Sequence, residues 1–263
     1  METNLNGIRL SYDDGGAGPA VLLLHAFPLS GAMWRRQAER LRERYRVVVP
    51  DLRGFGGSDA PPGPLTMDQQ ADDAAALLEQ LGIERAAVVG LSMGGYIAFA
   101  LWRRHSDKVA ALVLADTKAG ADSDDGKAGR EANARLAEEQ GAGAIADKLI
   151  PGLVASGASA ALRDELQALI TANSTDGIAG ALRGMALRPD STPDLASITV
   201  PALVIVGAED TLTPPEEARK IAAGVAGPST LVEIPGAGHL SNMEAPEAFN
   251  AALEEFLDGL GGW

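Results

Sequence analysis

Short unbroken apolar runs alternate along this chain with stretches whose apolar residues recur every three or four positions. AVLLLH (20–25), RVVVPD (46–51), AAVVGL (86–91), VAALVLAD (109–116), PALVIVG (201–207) and TLVEIP (230–235) have strand length, and most are continuously apolar. Runs of that kind predict parallel strands covered on both faces. IRLSY (8–12) follows the turn dipeptide Asn6-Gly7 and predicts a small antiparallel ribbon over residues 2–13. Helical periodicity fills the intervals. Trp34, Ala38, Leu41 and Tyr45 form one stripe within 31–45; Ala71, Ala74, Ala75, Leu77, Leu78 and Leu81 form another within 68–81. Residues 94–105, 215–224 and 246–258 complete the set. Strands alternating with helices predict an α/β fold with a mostly parallel central sheet and helices on both faces.

One region breaks the rhythm. Residues 118–193 hold no strand-like run, only helical patterns near 128–140, 143–149, 159–172 and 176–187, closed by the breaker-rich RPDSTPD. This reads as a helical cap inserted between two strands of a core made of residues 1–117 and 194–263. A long insertion in a compact domain usually serves function, which favours a lid over a site. The alternative is a helical subdomain that only adds stability.

Composition narrows the class. The chain has 263 residues, 46% apolar, enough for one sizeable core. Its 22 basic and 36 acidic side chains give a net charge of −14, which repels phosphate backbones and anionic lipid. Neither nucleic acid nor membrane is expected as a partner. Cysteine is absent, which excludes disulfides, thiolate–metal sites and a cysteine nucleophile. The opening METNLNGIRLSYDD lacks the basic and apolar regions of a signal peptide, so a cytoplasmic location is expected. No HExxH or paired His/Asp cluster suggests a metal, and no cofactor is expected. A dinucleotide reading fails on spacing, since Gly54-Phe55-Gly56-Gly57-Ser58-Asp59 ends in Asp59 where a glycine is needed.

The candidate chemistry centres on GLSMGGY (90–96), between the run AAVV and the helical YIAFAL. Gly90-Leu91-Ser92-Met93-Gly94 fits G-x-S-x-G in the strand-to-helix context of a nucleophile elbow. The turn is so tight that residues beside the serine have no room for side chains. It presents the Ser92 hydroxyl at a helix N-terminus, which favours developing negative charge. A serine needs a base to become nucleophilic. Of three histidines, His105 ends a helix and reads as a capping or surface residue, and His25 reads as structural within its loop, with a place at the border of the pocket as its other reading. His239, in the glycine-rich PGAGHL after a strand, is the base. Asp210, in VGAEDTLTP, is favoured to orient it, because Ser92…Asp210…His239 follows a known catalytic order. Asp116, in LVLADT, is the competitor; its other reading is a cap at the start of the insertion. Backbone N–H groups of Met93 and Phe27 are the candidate oxyanion-hole donors.

HAFPLSGAMW (25–34), PDLRGFGGSDAP (50–61), VVGLSMGGYIAFAL (88–101), GAEDTLTPPE (207–216) and IPGAGHLSNMEAPEAF (234–249) together resemble the α/β-hydrolase superfamily. More narrowly, they look like small bacterial carboxylesterases close to the 3-oxoadipate enol-lactonase group. The resemblance implies a serine hydrolase with a helical cap. It carries a triad onto Ser92, Asp210 and His239, and oxyanion donors onto Phe27 and Met93. One departure is Ala26, where many relatives have glycine, which puts the Phe27 donor in question. Asp51, Arg53 and Ser58 belong to a motif that looks structural. A small-molecule ester is the expected substrate, on the reading that the cap's Ala, Leu and Ile content shapes a modest apolar pocket. Few basic residues are expected near the site, which weighs against a dicarboxylate-like lactone. A lactonase of the enol-lactonase kind and a non-catalytic binding module remain the alternatives.

Overall fold

A computed structural model describes residues 1–261. The strands are β1 (Glu2–Leu5), β2 (Ile8–Gly15), β3 (Ala20–Leu24), β4 (Arg46–Pro50), β5 (Ala86–Leu91), β6 (Val109–Ala115), β7 (Ala202–Gly207) and β8 (Ser229–Ile234). They form one eight-stranded sheet in the order β1-β2-β4-β3-β5-β6-β7-β8. From β4 to β8 every pair is parallel. The predicted antiparallel ribbon exists but does not stand apart. β2 also pairs antiparallel with β4, through Tyr12↔Pro50 to Gly15↔Val47, and so joins the ribbon to the main sheet.

The helices are α1 (Arg35–Leu41), α2 (Met67–Gln80), α3 (Met93–His105), α4 (Asp124–Leu153), α5 (Ala160–Thr171), α6 (Thr175–Ala186), α7 (Pro215–Gly224), α8 (Ser241–Glu244) and α9 (Pro246–Gly259). None of the described helices is long and apolar enough to cross a membrane. The predicted helix over 31–45 is shorter in fact. A 3-10 turn occupies Gly31–Trp34, α1 ends at Leu41, and Tyr45 closes a turn onto the Leu41 carbonyl. Its stripe is nevertheless buried, because the turn keeps Tyr45 on the same side. α2 starts where a capping box forms: the Thr66 hydroxyl accepts from the Gln69 N–H, and Gln69 Oε1 accepts from the Thr66 N–H.

Between β6 and β7 lie α4, α5 and α6. The patterns near 128–140 and 143–149 belong to α4, which bends at Gly141, whose φ of 84° lies outside helical geometry. α4 and α6 pack against each other, and Ala134, Ala137, Ile145 and Ala146 of α4 and Ile178, Leu182 and Met185 of α6 are buried in the same apolar cluster.

The central strands are buried throughout, from Val21–Leu24 to Val88, Val89, Leu112–Leu114 and Val204–Val206. β8 departs from the expected buried run, since only Ile234 is buried and the rest of this edge strand is wholly or partly exposed. Register then sets where chemistry falls. Leu24 is paired with Gly90, Leu91 with Ala115, Ala115 with Ile205, and Gly207 with Ile234. The carboxyl ends of five parallel strands therefore stop at one edge, and the loops leaving them share a crevice.

Candidate active site

The turn after β5 is built by exclusion. A Cβ on Gly90 would sit 2.2 Å from the Gly94 carbonyl oxygen, and one on Gly94 would sit 2.1 Å from the Leu24 oxygen. With the backbone that close, Ser92 is left at φ 54°, ψ −111°, a conformation side chains rarely adopt. Four bonds hold its backbone there. Its N–H donates to the Ala115 oxygen at 2.9 Å, and its carbonyl accepts from the Thr117 hydroxyl and the Gly95 N–H, each at 2.9 Å, and from the Tyr96 N–H at 3.2 Å.

The structure brings Ser92, His239 and Asp210 into one line. Ser92 Oγ lies 2.7 Å from His239 Nε2, and His239 Nδ1 lies 2.8 Å from Asp210 Oδ2. Asp210 is positioned by its own loop. Oδ1 accepts from the Leu212 and Thr213 N–H groups at 2.8 and 3.0 Å, and Oδ2 accepts from the Thr213 hydroxyl at 2.7 Å. Burial alone would raise the Asp210 pKa, but the bonds from His239 and Thr213 outweigh it and hold the carboxyl below its ordinary value. For His239 burial disfavours the cation, yet the bond and charge of Asp210, helped by Asp116 and Glu244, leave its pKa raised. A carboxylate fixed behind one ring nitrogen leaves the other free to accept the serine proton.

Asp116 stands elsewhere. It does not cap the insertion; Ser123 caps α4, its hydroxyl accepting from the Gly126 N–H. Asp116 is fully buried at φ 43°, and its carboxylate accepts from the Gly207 N–H at 2.8 Å and from the Ser241 N–H and hydroxyl. It ties the end of β7, which leads to Asp210, to the turn after His239. Burial pushes its carboxyl up to about 7, against the opposing pull of His239 and of its donors.

His25 is fully buried, with Nδ1 bonded to the Ala26 oxygen at 2.9 Å and Nε2 accepting from the Leu52 N–H at 3.0 Å. Burial drives its pKa down to about 4, so it is a neutral loop brace. His105 pairs with Asp72 at 2.7 Å on the far side of α3. Asp51, Arg53 and Ser58 brace the loop after β4. Arg53 grips the buried Asp73 at 2.7 and 2.8 Å, Asp51 accepts from the Gly31 and Gly57 N–H groups, and Ser58 donates to the Asp51 carbonyl.

Phe27 lines the same cavity as Ser92 and His239, and Met93 opens α3. Neither backbone N–H donates to another described residue. Ala26 does not strain the loop: among described non-glycine residues only Asn6, Ser92 and Asp116 have positive φ, so alanine suits its position.

The cavity measures about 200 Å³. Leu149, Leu153, Leu182 and Leu212 give it an apolar wall. Lys118, Arg130 and Asn133 line it too, which corrects the expectation of few basic residues near the site. That expectation failed because which side chains of α4 and of the segment after β6 reach the cavity is a tertiary outcome.

Three further residues escaped the sequence reading. Thr213 bonds Asp210 and stands 3.2 Å from His239 Nδ1. Thr117 bonds the elbow. Glu244 is half-buried and accepts from the Gly238 and Ala155 N–H groups, each at 2.8 Å, so it clamps the His239 loop to the segment after α4. The signal for Thr213 was local, a hydroxyl three residues after a loop aspartate; Glu244 gave none.

A model of the alpha/beta hydrolase fold matches residues 19–141, and a model described as TAP-like protein matches residues 184–260. The chain is 32% identical to 3-oxoadipate enol-lactonase 2 of Acinetobacter baylyi, over 95% of this chain and 93% of that protein. Among solved structures, a thermophilic esterase from Thermogutta terrifontis with malate bound is 42% identical, with a TM-score of 0.94 over 98% of this chain and 97% of that one. The enol-lactonase of Burkholderia xenovorans is 31% identical, with a TM-score of 0.90 over 98% of this chain and 100% of that one.

Proposed function

We propose that this chain, which belongs to the α/β-hydrolase family, is a serine carboxylesterase that cleaves small esters through an acyl-enzyme. The observation that carries the reading is the unbroken line Ser92 Oγ–His239 Nε2, His239 Nδ1–Asp210 Oδ2, at 2.7 and 2.8 Å. Oγ attacks the ester carbonyl carbon while His239 takes its proton. Asp210 keeps the proton on Nδ1 and stabilises the imidazolium. The Phe27 and Met93 N–H groups receive the oxyanion. As the tetrahedral adduct collapses, His239 returns the proton to the leaving alcohol. Water then repeats the sequence on the acyl-enzyme and releases the acid. α4, α5 and α6 serve as the cap, since Leu149, Leu153 and Leu182 wall the cavity and set its small size.

A second reading, a lactonase, uses the same groups on a cyclic ester. It is favoured by Lys118 and Arg130 in the cavity and by the likeness to the enol-lactonases. Steady-state rates on p-nitrophenyl acetate, butyrate, octanoate and laurate, with Ser92→Ala alongside, test the esterase reading. It predicts turnover that peaks at short acyl chains and is lost in the variant. Equal rates for the two proteins on every ester would contradict it.

A further inference from the structure

The loop that carries His239 is held from several directions. Asp116 takes the Ser241 N–H and hydroxyl just after it. The end of β7 presses on it just before, where a Cβ on Gly207 would lie 2.0 Å from the Gly238 oxygen. A third contact reaches outside the core. Glu244 closes α8, and its side chain turns back over the loop. Oε1 accepts from the Gly238 N–H and Oε2 from the Ala155 N–H, each at 2.8 Å. Gly238 immediately precedes His239. Ala155 follows shortly after Leu153, the last residue of α4 and part of the cavity wall. The two backbones also touch. A Cβ on Gly238 would lie 2.5 Å from the Ala155 nitrogen and 2.7 Å from the Val154 carbonyl carbon. Position 238 therefore has no room for a side chain while the α4–α5 linker rests on it.

Glu244 does not serve as half of an ion pair. Its partners are backbone N–H groups, and among the described residues no cation pairs with it. Arg36 of α1, Glu165 of α5 and Glu209 after β7 line the same cavity of about 550 Å³. Arg36 donates to the Met243 carbonyl and pairs with Glu165 instead. Burial raises the Glu244 pKa, and the N–H groups of Ala155, Gly238 and Leu240 pull against that rise. A half-buried carboxylate that spends one oxygen on each of two backbone segments fixes how those segments lie against each other. The bonds of His239 to Ser92 Oγ at 2.7 Å and to Asp210 Oδ2 at 2.8 Å depend on where this backbone holds the ring.

We propose that Glu244 is a positioning residue for His239: by bonding the Gly238 and Ala155 N–H groups together, it seats the loop of the base on the linker between α4 and α5. This rests on the serine-hydrolase reading, in which His239 takes the Ser92 proton. Glu244 does not line the cavity that holds Ser92 and His239, so it acts through the imidazole alone. Misplacing a reacting group by about 1 Å lowers turnover by up to about 10²-fold.

Steady-state kinetics and imidazole NMR of Glu244→Gln, Glu244→Asp and Glu165→Gln test the role. Glutamine keeps the shape but offers one acceptor oxygen and sets an amide against the other N–H. Aspartate keeps the charge on an arm one methylene shorter, and it carries the test if Glu244→Gln fails to fold. Glu165→Gln breaks the pairs of α5 with Arg35 and Arg36 of α1, another tie between cap and core, and leaves the His239 loop alone. Both Glu244 variants should lower kcat on p-nitrophenyl butyrate about tenfold, with KM changed less than about twofold. Glu165→Gln should change neither. NMR reads the base without turnover, and only His25 and His105 share its spectrum. The downfield Nδ1 proton of His239, sheltered by its bond to Asp210, should broaden in both Glu244 variants and stay sharp in Glu165→Gln. Unchanged kcat in the Glu244 variants, a loss that Glu165→Gln reproduces, or a loss with the Nδ1 proton unmoved would overturn the role. If the unmodified protein cleaves no ester, the esterase reading fails, and the Nδ1 proton by itself decides for or against the positioning role.

Discussion

The Thr213 hydroxyl donates to Asp210 Oδ2 at 2.7 Å, on the same carboxylate oxygen that faces His239. Asp210 therefore meets the imidazole already oriented by its own loop, through this hydroxyl and the Leu212 and Thr213 N–H groups. Losing the hydroxyl removes one of the bonds that hold Asp210 low and in plane. Thr213→Val is expected to lower kcat/KM about tenfold, within the range for one hydrogen bond to a charged group, with Thr213→Ser restoring most of it. Steady-state kinetics on p-nitrophenyl butyrate check this.

Asp210 and Asp116 separate by magnitude. Asp210→Asn leaves the geometry but removes the charge that stabilises the imidazolium, and turnover should drop by roughly 10³–10⁴-fold. Asp116→Asn retains an oxygen for the Gly207 N–H and should cost far less turnover, of order tenfold. A reversed ranking in kcat would assign the orienting role to Asp116.

The pH profile carries the same logic with a definite sign. The base acts as neutral imidazole, so kcat/KM falls as pH drops through the His239 pKa. That pKa lies above the ordinary 6.5, because Asp210 and Asp116 favour the cation more than burial opposes it. The acid limb should accordingly sit above pH 6.5 in the unmodified enzyme. It should move to lower pH in Asp210→Asn, and less far in Asp116→Asn. A limb that stays fixed in Asp210→Asn would show that another group titrates.

Two glycine substitutions should act in opposite directions. A Cβ on Gly94 meets the Leu24 carbonyl oxygen at 2.1 Å, an obstacle made of backbone. Gly94→Ala should cost about 3 kcal/mol, the upper end for overpacking. Gly143 lies within α4 with nothing within 4 Å of a built Cβ. Gly143→Ala should stabilise by about 0.4–1 kcal/mol through the unfolded chain. Urea unfolding of the two variants measures both.

The parallel strands were legible because a strand covered on both faces must be apolar throughout, as Val21–Leu24 and Val204–Val206 are. Ser92 was legible because its elbow forces glycines at 90 and 94, a constraint written into neighbouring positions. What stayed hidden depended on distant partners. Asp116 meets Gly207 and Ser241 across 91 and 125 residues. Glu244 meets Ala155 across 89. No local pattern announces either bond. The sequence led to an expectation of few basic residues near the site, and Lys118, after β6, and Arg130, on α4, reach the cavity only through the tertiary fold. The helix over 31–45 was overextended because a 3-10 turn, a short α-helix and a closing turn can bury the same stripe as one helix.

The central claim is that Ser92 is the nucleophile, and labelling tests it most directly. The protein should react stoichiometrically with a fluorophosphonate, and peptide mass spectrometry should place the adduct on Ser92. Prior incubation with a short-chain ester should slow the reaction, and Ser92→Ala should abolish it. An esterase that turns over ester yet stays unlabelled, or carries the adduct on another residue, would contradict the account.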